Sequence, residues 1–107
     1  MTDPGRLRHR LTLEAPVESA DDAGGVVRSY AAAATVWAAI EPLIPRETVD
    51  ADGLAATLTH RITIRGGLTV TTRHRFVLGA RVLRILTVRD PDESGRFLDI
   101  GAEERRS

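Results

Sequence analysis

At 107 residues, with one Trp, one Tyr, two Phe and no Cys, the chain has the size of a single domain, 1–107, whose core must come from Leu, Val, Ile and Ala. The absence of cysteine excludes a disulfide framework, a thiolate metal site and a Cys nucleophile. Fifteen basic residues, all Arg, balance fifteen acids, and a neutral total argues against a free-standing duplex binder, which draws most of its affinity from a positive excess.

The N-terminus Met1-Thr2-Asp3-Pro4-Gly5 lacks the apolar stretch of a signal peptide, and no apolar run approaches the length of a membrane span. The expectation is a soluble product with no membrane partner. The run Gly5-Arg6-Leu7-Arg8-His9-Arg10-Leu11-Thr12-Leu13 alternates polar and apolar residues, the period of a half-buried strand. It predicts a strand over about Leu7–Ala15, with Leu7, His9, Leu11 and Leu13 on one face, ended by Pro16, which has no N–H for a ladder. The turn signal Asp21-Asp22-Ala23-Gly24-Gly25 then joins it to Val26–Tyr30 as a hairpin.

Ala31–Ala34 has high helix propensity but spans only about one turn. The β-branched and aromatic residues of Thr35–Glu41, up to Pro42, favour a third strand. Arg46–Thr57 shows neither strand alternation nor a helical stripe, and Gly53 interrupts it, so a mobile loop with room for a short helix is expected there. Alternation returns in Thr59-His60-Arg61-Ile62-Thr63-Ile64-Arg65, and Gly66-Gly67 breaks it.

In Arg75–Val88, Gly79-Ala80 sits between two strand-like runs and suits a two-residue type II′ turn, because Gly tolerates positive φ. The turn Asp90-Pro91-Asp92-Glu93-Ser94-Gly95 precedes a last strand over about Phe97–Ala102. Six to eight short antiparallel strands and one long loop predict an all-β chain, a small barrel or sandwich. Its expected core includes Leu11, Leu13, Ile62, Ile64, Val82, Ile85 and Ile100.

Catalytic chemistry finds no foothold. His9, His60 and His74 stand in no His-x-x-x-His or Glu-x-x-His arrangement, and their arginine neighbours oppose a dication. Asp90–Gly95 matches the first half of a calcium loop, but its twelfth position is Gly101 where a bidentate Glu is needed. Ser19, Ser29, Ser94 and Ser107 lie outside any nucleophile-elbow context, and neither Gly pair has a phosphate-loop frame. The carboxylates lie mostly in turns, without the desolvation that acid catalysis requires. The chain reads as no enzyme, with no cofactor and no metal.

Charge is segregated along the chain. Glu14–Thr57 carries eight acids against Arg28 and Arg46, whereas Leu58–Arg89 carries seven arginines and no acid. Such a split suits pairing of the basic part of one subunit with the acidic part of the next, with Arg61, Arg65, Arg73 and Arg75 as candidate inter-subunit contacts.

Five segments in order, Gly5–Glu14, Asp22–Gly25, Val36–Pro42, Thr59–Arg65 and Arg81–Ile85 leading to Asp90–Glu93, resemble the head-tail joining proteins of tailed bacteriophages. That family, also called head-closure, adaptor or stopper proteins, has relatives in prophages and gene transfer agents. Gly66–His74 departs from the family pattern in lacking a proline-containing turn.

The resemblance implies a β-barrel subunit, made in the host cytoplasm, that joins a virion or phage-like particle at the head-tail interface. Copies of it form a ring of twelve below the portal or adaptor, close the filled head and offer a platform to tail terminator or tail tube proteins. Double-stranded DNA passes through without sequence-specific binding. Arg46, Glu47, Asp50, Asp52 and Gly53 are the candidate channel loop, because an acidic, hinge-bearing segment lets DNA pass without sticking and agrees with the loop by which stopper relatives close the channel. A solvated outer loop touching a neighbour or the adaptor is the other reading of that segment. The alternative function is a small oligonucleotide-binding barrel, but Tyr30, Trp37, Phe76 and Phe97 are scattered over four segments where base stacking needs a shared face.

Overall fold

The structure, a computed structural model, describes residues 6–106; Met1–Gly5, which carry the leader reading and the first residue of the opening motif, and Ser107 lie outside it. Six strands follow one another: β1 (His9–Ala20), β2 (Val26–Val49), β3 (Ala55–Arg65), β4 (Arg75–Leu78), β5 (Arg81–Arg89) and β6 (Phe97–Arg106). All pairings are antiparallel, in the order β1-β2-β3-β6-β5-β4, and β4 closes the barrel on β1 through Thr12↔Val77, Leu13↔Phe76 and Glu14↔Arg75.

The period-2 pattern sets what fills the barrel. Leu11 and Leu13 point inward to meet Ala38, Ile62, Ile64, Phe76, Leu83, Ile85, Ile100 and Ala102, all at most 1% exposed. Phe76 is the largest fully buried side chain. Val82, expected in the core, faces outward opposite Val77, because Leu83 and Ile85 take the inward positions of β5. A register shift between Ile85 and Thr87 then lets Leu86 be buried as well.

Pro16 does not end β1. Beyond Glu14 the β4 partner is gone, and β1 and β2 continue as a two-stranded ribbon to Ala20↔Val26. A proline that lacks an N–H is tolerated on such an open edge. The three expected segments Val26–Tyr30, Ala31–Ala34 and Thr35–Pro42 are parts of one 24-residue strand, in which extended partners override the helix propensity of alanine.

The segment expected as a loop with room for a helix, 46–57, is instead a second hairpin paired from Arg46↔Leu58 to Val49↔Ala55. A bulge hides it from the sequence: between Pro42↔His60 and Arg46↔Leu58, β2 advances four residues while β3 advances two, which breaks the alternation. The β4–β5 turn has the expected form, with Leu78↔Arg81 flanking Gly79 at φ 60° and no positive φ at Ala80. The molecule measures 50 × 29 × 28 Å, long for its barrel because both hairpins outrun it. No helix among the described residues is long and apolar enough to cross a membrane.

Candidate assembly surfaces

Two hairpin turns are built alike. In the first, Asp21 N–H donates to the Gly25 carbonyl at 2.9 Å, and Asp21 Oδ1 accepts from the Ala23 and Gly25 amides at 2.9 and 2.7 Å. In the second, Asp50 N–H donates to the Leu54 carbonyl at 2.8 Å, and Asp50 Oδ1 accepts from Asp52 and Leu54 at 2.9 Å each. Each turn places Gly in its fourth position, Gly24 and Gly53, at φ 83°. Asp-x-x-Gly therefore encodes a turn closed by a left-handed glycine, and Gly53 is that residue. The spacing was present in the sequence at Asp50–Gly53, masked by the bulge upstream.

The turns differ in what holds them. Asp50 Oδ2 accepts from Arg84 Nη2 of β5, and Asp50 is buried. Arg84 also faces Glu103 at 3.7 Å, and Glu103 Oε2 accepts the Thr57 N–H at 2.7 Å. The amide of Leu54, then the Arg84 guanidinium, hold the Asp50 carboxyl below the usual carboxylate range. Asp50 is thus a structural anchor of the second hairpin, whereas Arg46, Glu47 and Asp52 remain exposed.

The first hairpin is gripped only at its root. Arg75 Nε donates to Glu14 Oε1 at 2.7 Å, and its guanidinium lies 3.8 Å from the centroid of the Tyr30 ring. Farther out, Glu18 binds Arg28 at 2.8 Å on the ribbon surface. That hydrogen bond and the Glu18 charge raise the Arg28 pKa. Every residue from Val17 to Ser29 is exposed.

The charge segregation along the chain does not survive folding. Antiparallel closure sets Glu14 opposite Arg75 and Glu41 opposite Arg61, and the acids of β6 meet the arginines of β3 and β5. Arg61 pairs with Asp99 at 3.3 Å, Arg81 with Glu104, and Arg84 with Asp50 and Glu103. Of the candidate inter-subunit arginines, Arg61 and Arg65 lie on β3, while Arg73 and Arg75 lie at β4, the strand across the barrel from it. They form two pairs on opposite walls, not one basic face. Arg65 and Arg73 make no ion pair with the described residues.

Apolar exposure concentrates on the hairpins: Val17, Val26 and Val27 on the first, Val49 and Leu54 on the second, and Ile44, 91% exposed, on the bulge. Trp37 is also exposed on the outer wall, with the Arg10 guanidinium 6.0 Å from its ring. Sequence reasoning passed over Val17, Val26 and Val27 because they sit in runs that read as ordinary strand, and over Ile44, Val49 and Leu54 because the bulge makes their stretch read as a loop.

The histidines serve local structure. His60 Nδ1 meets Thr59 Oγ1 at 2.8 Å, and His74 Nδ1 accepts the Thr71 N–H at 3.0 Å, while His9 lies exposed on β1. In the 90–95 turn the carboxylates accept from the turn itself: Asp90 Oδ2 from the Gly95 amide at 2.8 Å, and Asp92 Oδ1 from the Ser94 hydroxyl and amide at 2.6 and 3.1 Å. The Ser94 bonds, the hydroxyl foremost, lower the Asp92 pKa. Asp92 Oδ1 and Asp90 Oδ2 are thus occupied as turn acceptors, while Asp90 Oδ1 is buried without a hydrogen-bond partner among the described residues.

The closed barrel projects two hairpins that carry most of its large exposed apolar side chains, and comparison with known proteins identifies the family. No curated protein matches the chain. A chain in the structure of the virion of a native gene transfer agent particle is 31% identical, with a TM-score of 0.69 over 94% of this chain and 96% of that one. The family model for the phage head completion protein matches residues 2–105, nearly the whole sequence, so this chain belongs to the phage head completion protein family and is a structural component of a phage or phage-like particle.

Proposed function

We propose that this chain is the ring-forming subunit of the head-tail connector, non-enzymatic, closing the DNA-filled head below the portal or adaptor and presenting a platform to tail proteins. The observation that carries the reading is the pair of exposed, partly apolar hairpins on a barrel whose strands are paired all round. A closed barrel has no free edge for strand addition, so contacts fall to what projects from it. Subunits of a ring meet head-to-tail, each presenting two different surfaces, and the projecting first hairpin supplies one of them. Twelve copies is the number that the family resemblance implies.

The second hairpin is the channel element in this proposal. Exposed Glu47 and Asp52 repel DNA phosphates, so closure is steric, while Asp50 anchors the hairpin through Arg84 rather than facing DNA. The exposed Arg65 and Arg73 remain available to neighbours. The oligonucleotide-binding alternative loses its stacking platform, since Phe76 is fully buried and Tyr30 is occupied by Arg75.

Deleting Val49–Ala55 tests the channel role. Particles carrying the deletion are expected to keep their rings and leak DNA before tails attach. Particles that retain DNA and mature normally overturn the gate, and the absence of this chain from the head-tail junction in electron microscopy of intact particles overturns the connector reading.

A further inference from the structure

We infer that the turn of the first hairpin of one copy docks into an arginine-rich groove on the next copy; this rests on the ring reading. The groove, about 280 Å³, lies on the outer wall beneath the β2 bulge, lined by Leu43, Arg46, Leu58, Arg61, Arg89 and Asp99. Its floor is kept low by Gly101: a side chain there would run into Thr87 Oγ1 at 2.5 Å and Leu58 Cδ1 at 3.0 Å. Arg61 is engaged by Asp99, whereas Arg46 and Arg89 make no ion pair with the described residues. The groove therefore carries two guanidinium groups outside ion-pair distance of any described acid, beside two leucines, with Asp99 opposite Arg89 in the β5–β6 ladder.

The first hairpin matches it in both respects. Val17 and Val27 lie on one face of the ribbon, since Val17 pairs with Ser29 and Ser19 with Val27. The turn adds Asp22 and the free Oδ2 of Asp21, with no cation among the described residues in ion-pair contact with either. Apolar side chains behind a pair of carboxylates meet leucines behind a pair of guanidinium groups, a pairing that fixes register as well as contact.

Position supports the same partner. The first hairpin is made by the end of β1 and the start of β2, whereas the groove is lined from the far part of β2 and from β3, β5 and β6, so one copy carries both surfaces at separate places. Two different surfaces give a heterologous contact that propagates round a ring, not an isologous dimer. The leucine walls disfavour a nucleic-acid backbone as occupant, because a sugar-phosphate chain has no apolar side chains to set against them.

The absence of cysteine makes the test direct. Chains carrying Ala23→Cys alone and Leu43→Cys alone are mixed and treated with a short bis-maleimide, in solution and in particles. Cross-linked dimers that need both chains support the inference. Arg89→Asp and Asp22→Arg should each weaken ring formation at least several-fold, with the far-UV spectrum unchanged, and the two changes combined in one chain should restore it. Rings that form normally without cross-linking overturn the inference and leave the ring reading intact. Folded chains that never assemble, alone or in particles, overturn both. Duplex DNA binding lost on Arg46→Glu with Arg89→Glu, together with no cross-link between copies, assigns the groove to nucleic acid instead.

Discussion

The Arg75 guanidinium lies 3.8 Å from the Tyr30 ring centroid while its Nε donates to Glu14, so one arginine of β4 clasps both strands of the first hairpin where they leave the barrel. Outside this clasp the ribbon has only its own ladder, the exposed Glu18–Arg28 pair and its turn bonds, and an isolated two-stranded ribbon is marginal in water. Order in the hairpin root should therefore depend on these three side chains.

Arg75→Ala should lower hydrogen-exchange protection in residues 15–31 while leaving the amides of Ile62 and Ile100 unchanged. The global cost should be small, on the order of 1 kcal/mol, because a half-exposed ion pair and one cation–π contact contribute about that much. A double-mutant cycle with Tyr30→Ala should show coupling; strict additivity would mean that the stacking does not contribute.

Ile62→Ala should cost about 2–5 kcal/mol, since Ile62 is fully buried among the residues that fill the barrel. Val82→Ala should cost under about 1 kcal/mol, as expected for a half-exposed side chain on the outer wall. Urea midpoints of the two variants check the assignment of faces on β3 and β5. Equal losses would place Val82 in the core after all.

Asp50→Asn separates charge from shape at the second turn. The folded-state pKa of Asp50 is lowered, so its stabilisation is present above the ordinary carboxylate value of about 3.9 and is lost as pH falls through the folded value. The parent should be more stable than the variant at pH 7, and the gap should close toward pH 3. A gap of the same size at both pH values would show that the hydrogen-bond geometry, not the charge, is what matters.

Gly101→Ala should destabilise by about 1–3 kcal/mol through overpacking against Thr87 and Leu58. In a Thr87→Ala background the penalty should shrink, because the closest atom has been removed. Thermal unfolding of the four chains of this cycle measures the coupling, and a neutral Gly101→Ala would show that Leu58 and Thr87 move aside freely.

Local pattern was enough for the parts of the chain that have one wet and one dry face. The alternation at Leu11–Leu13 and Ile62–Ile64 named inward residues, as did the reading of Ile100, though Phe76 and Leu83 were missed, and Gly79-Ala80 and Asp21–Gly25 named their turns, because side-chain direction and turn geometry are local properties. The five ordered segments likewise carried the family.

Three things depended on tertiary structure. The bulge at Leu43–Pro45 disguised a hairpin as a loop, since register is set by the partner strand β3 and not by β2 alone. Pro16 and the alanine run stayed extended because the ribbon left one edge open to proline and gave the alanines ladder partners. The acidic and basic stretches, far apart in sequence, were interleaved by strand pairing: Glu14 met Arg75 where β4 closed on β1, and Asp50 of the second turn met Arg84 of β5. Charge along a sequence is one-dimensional, whereas ion pairing is decided by which strands become neighbours, and that choice belongs to barrel closure.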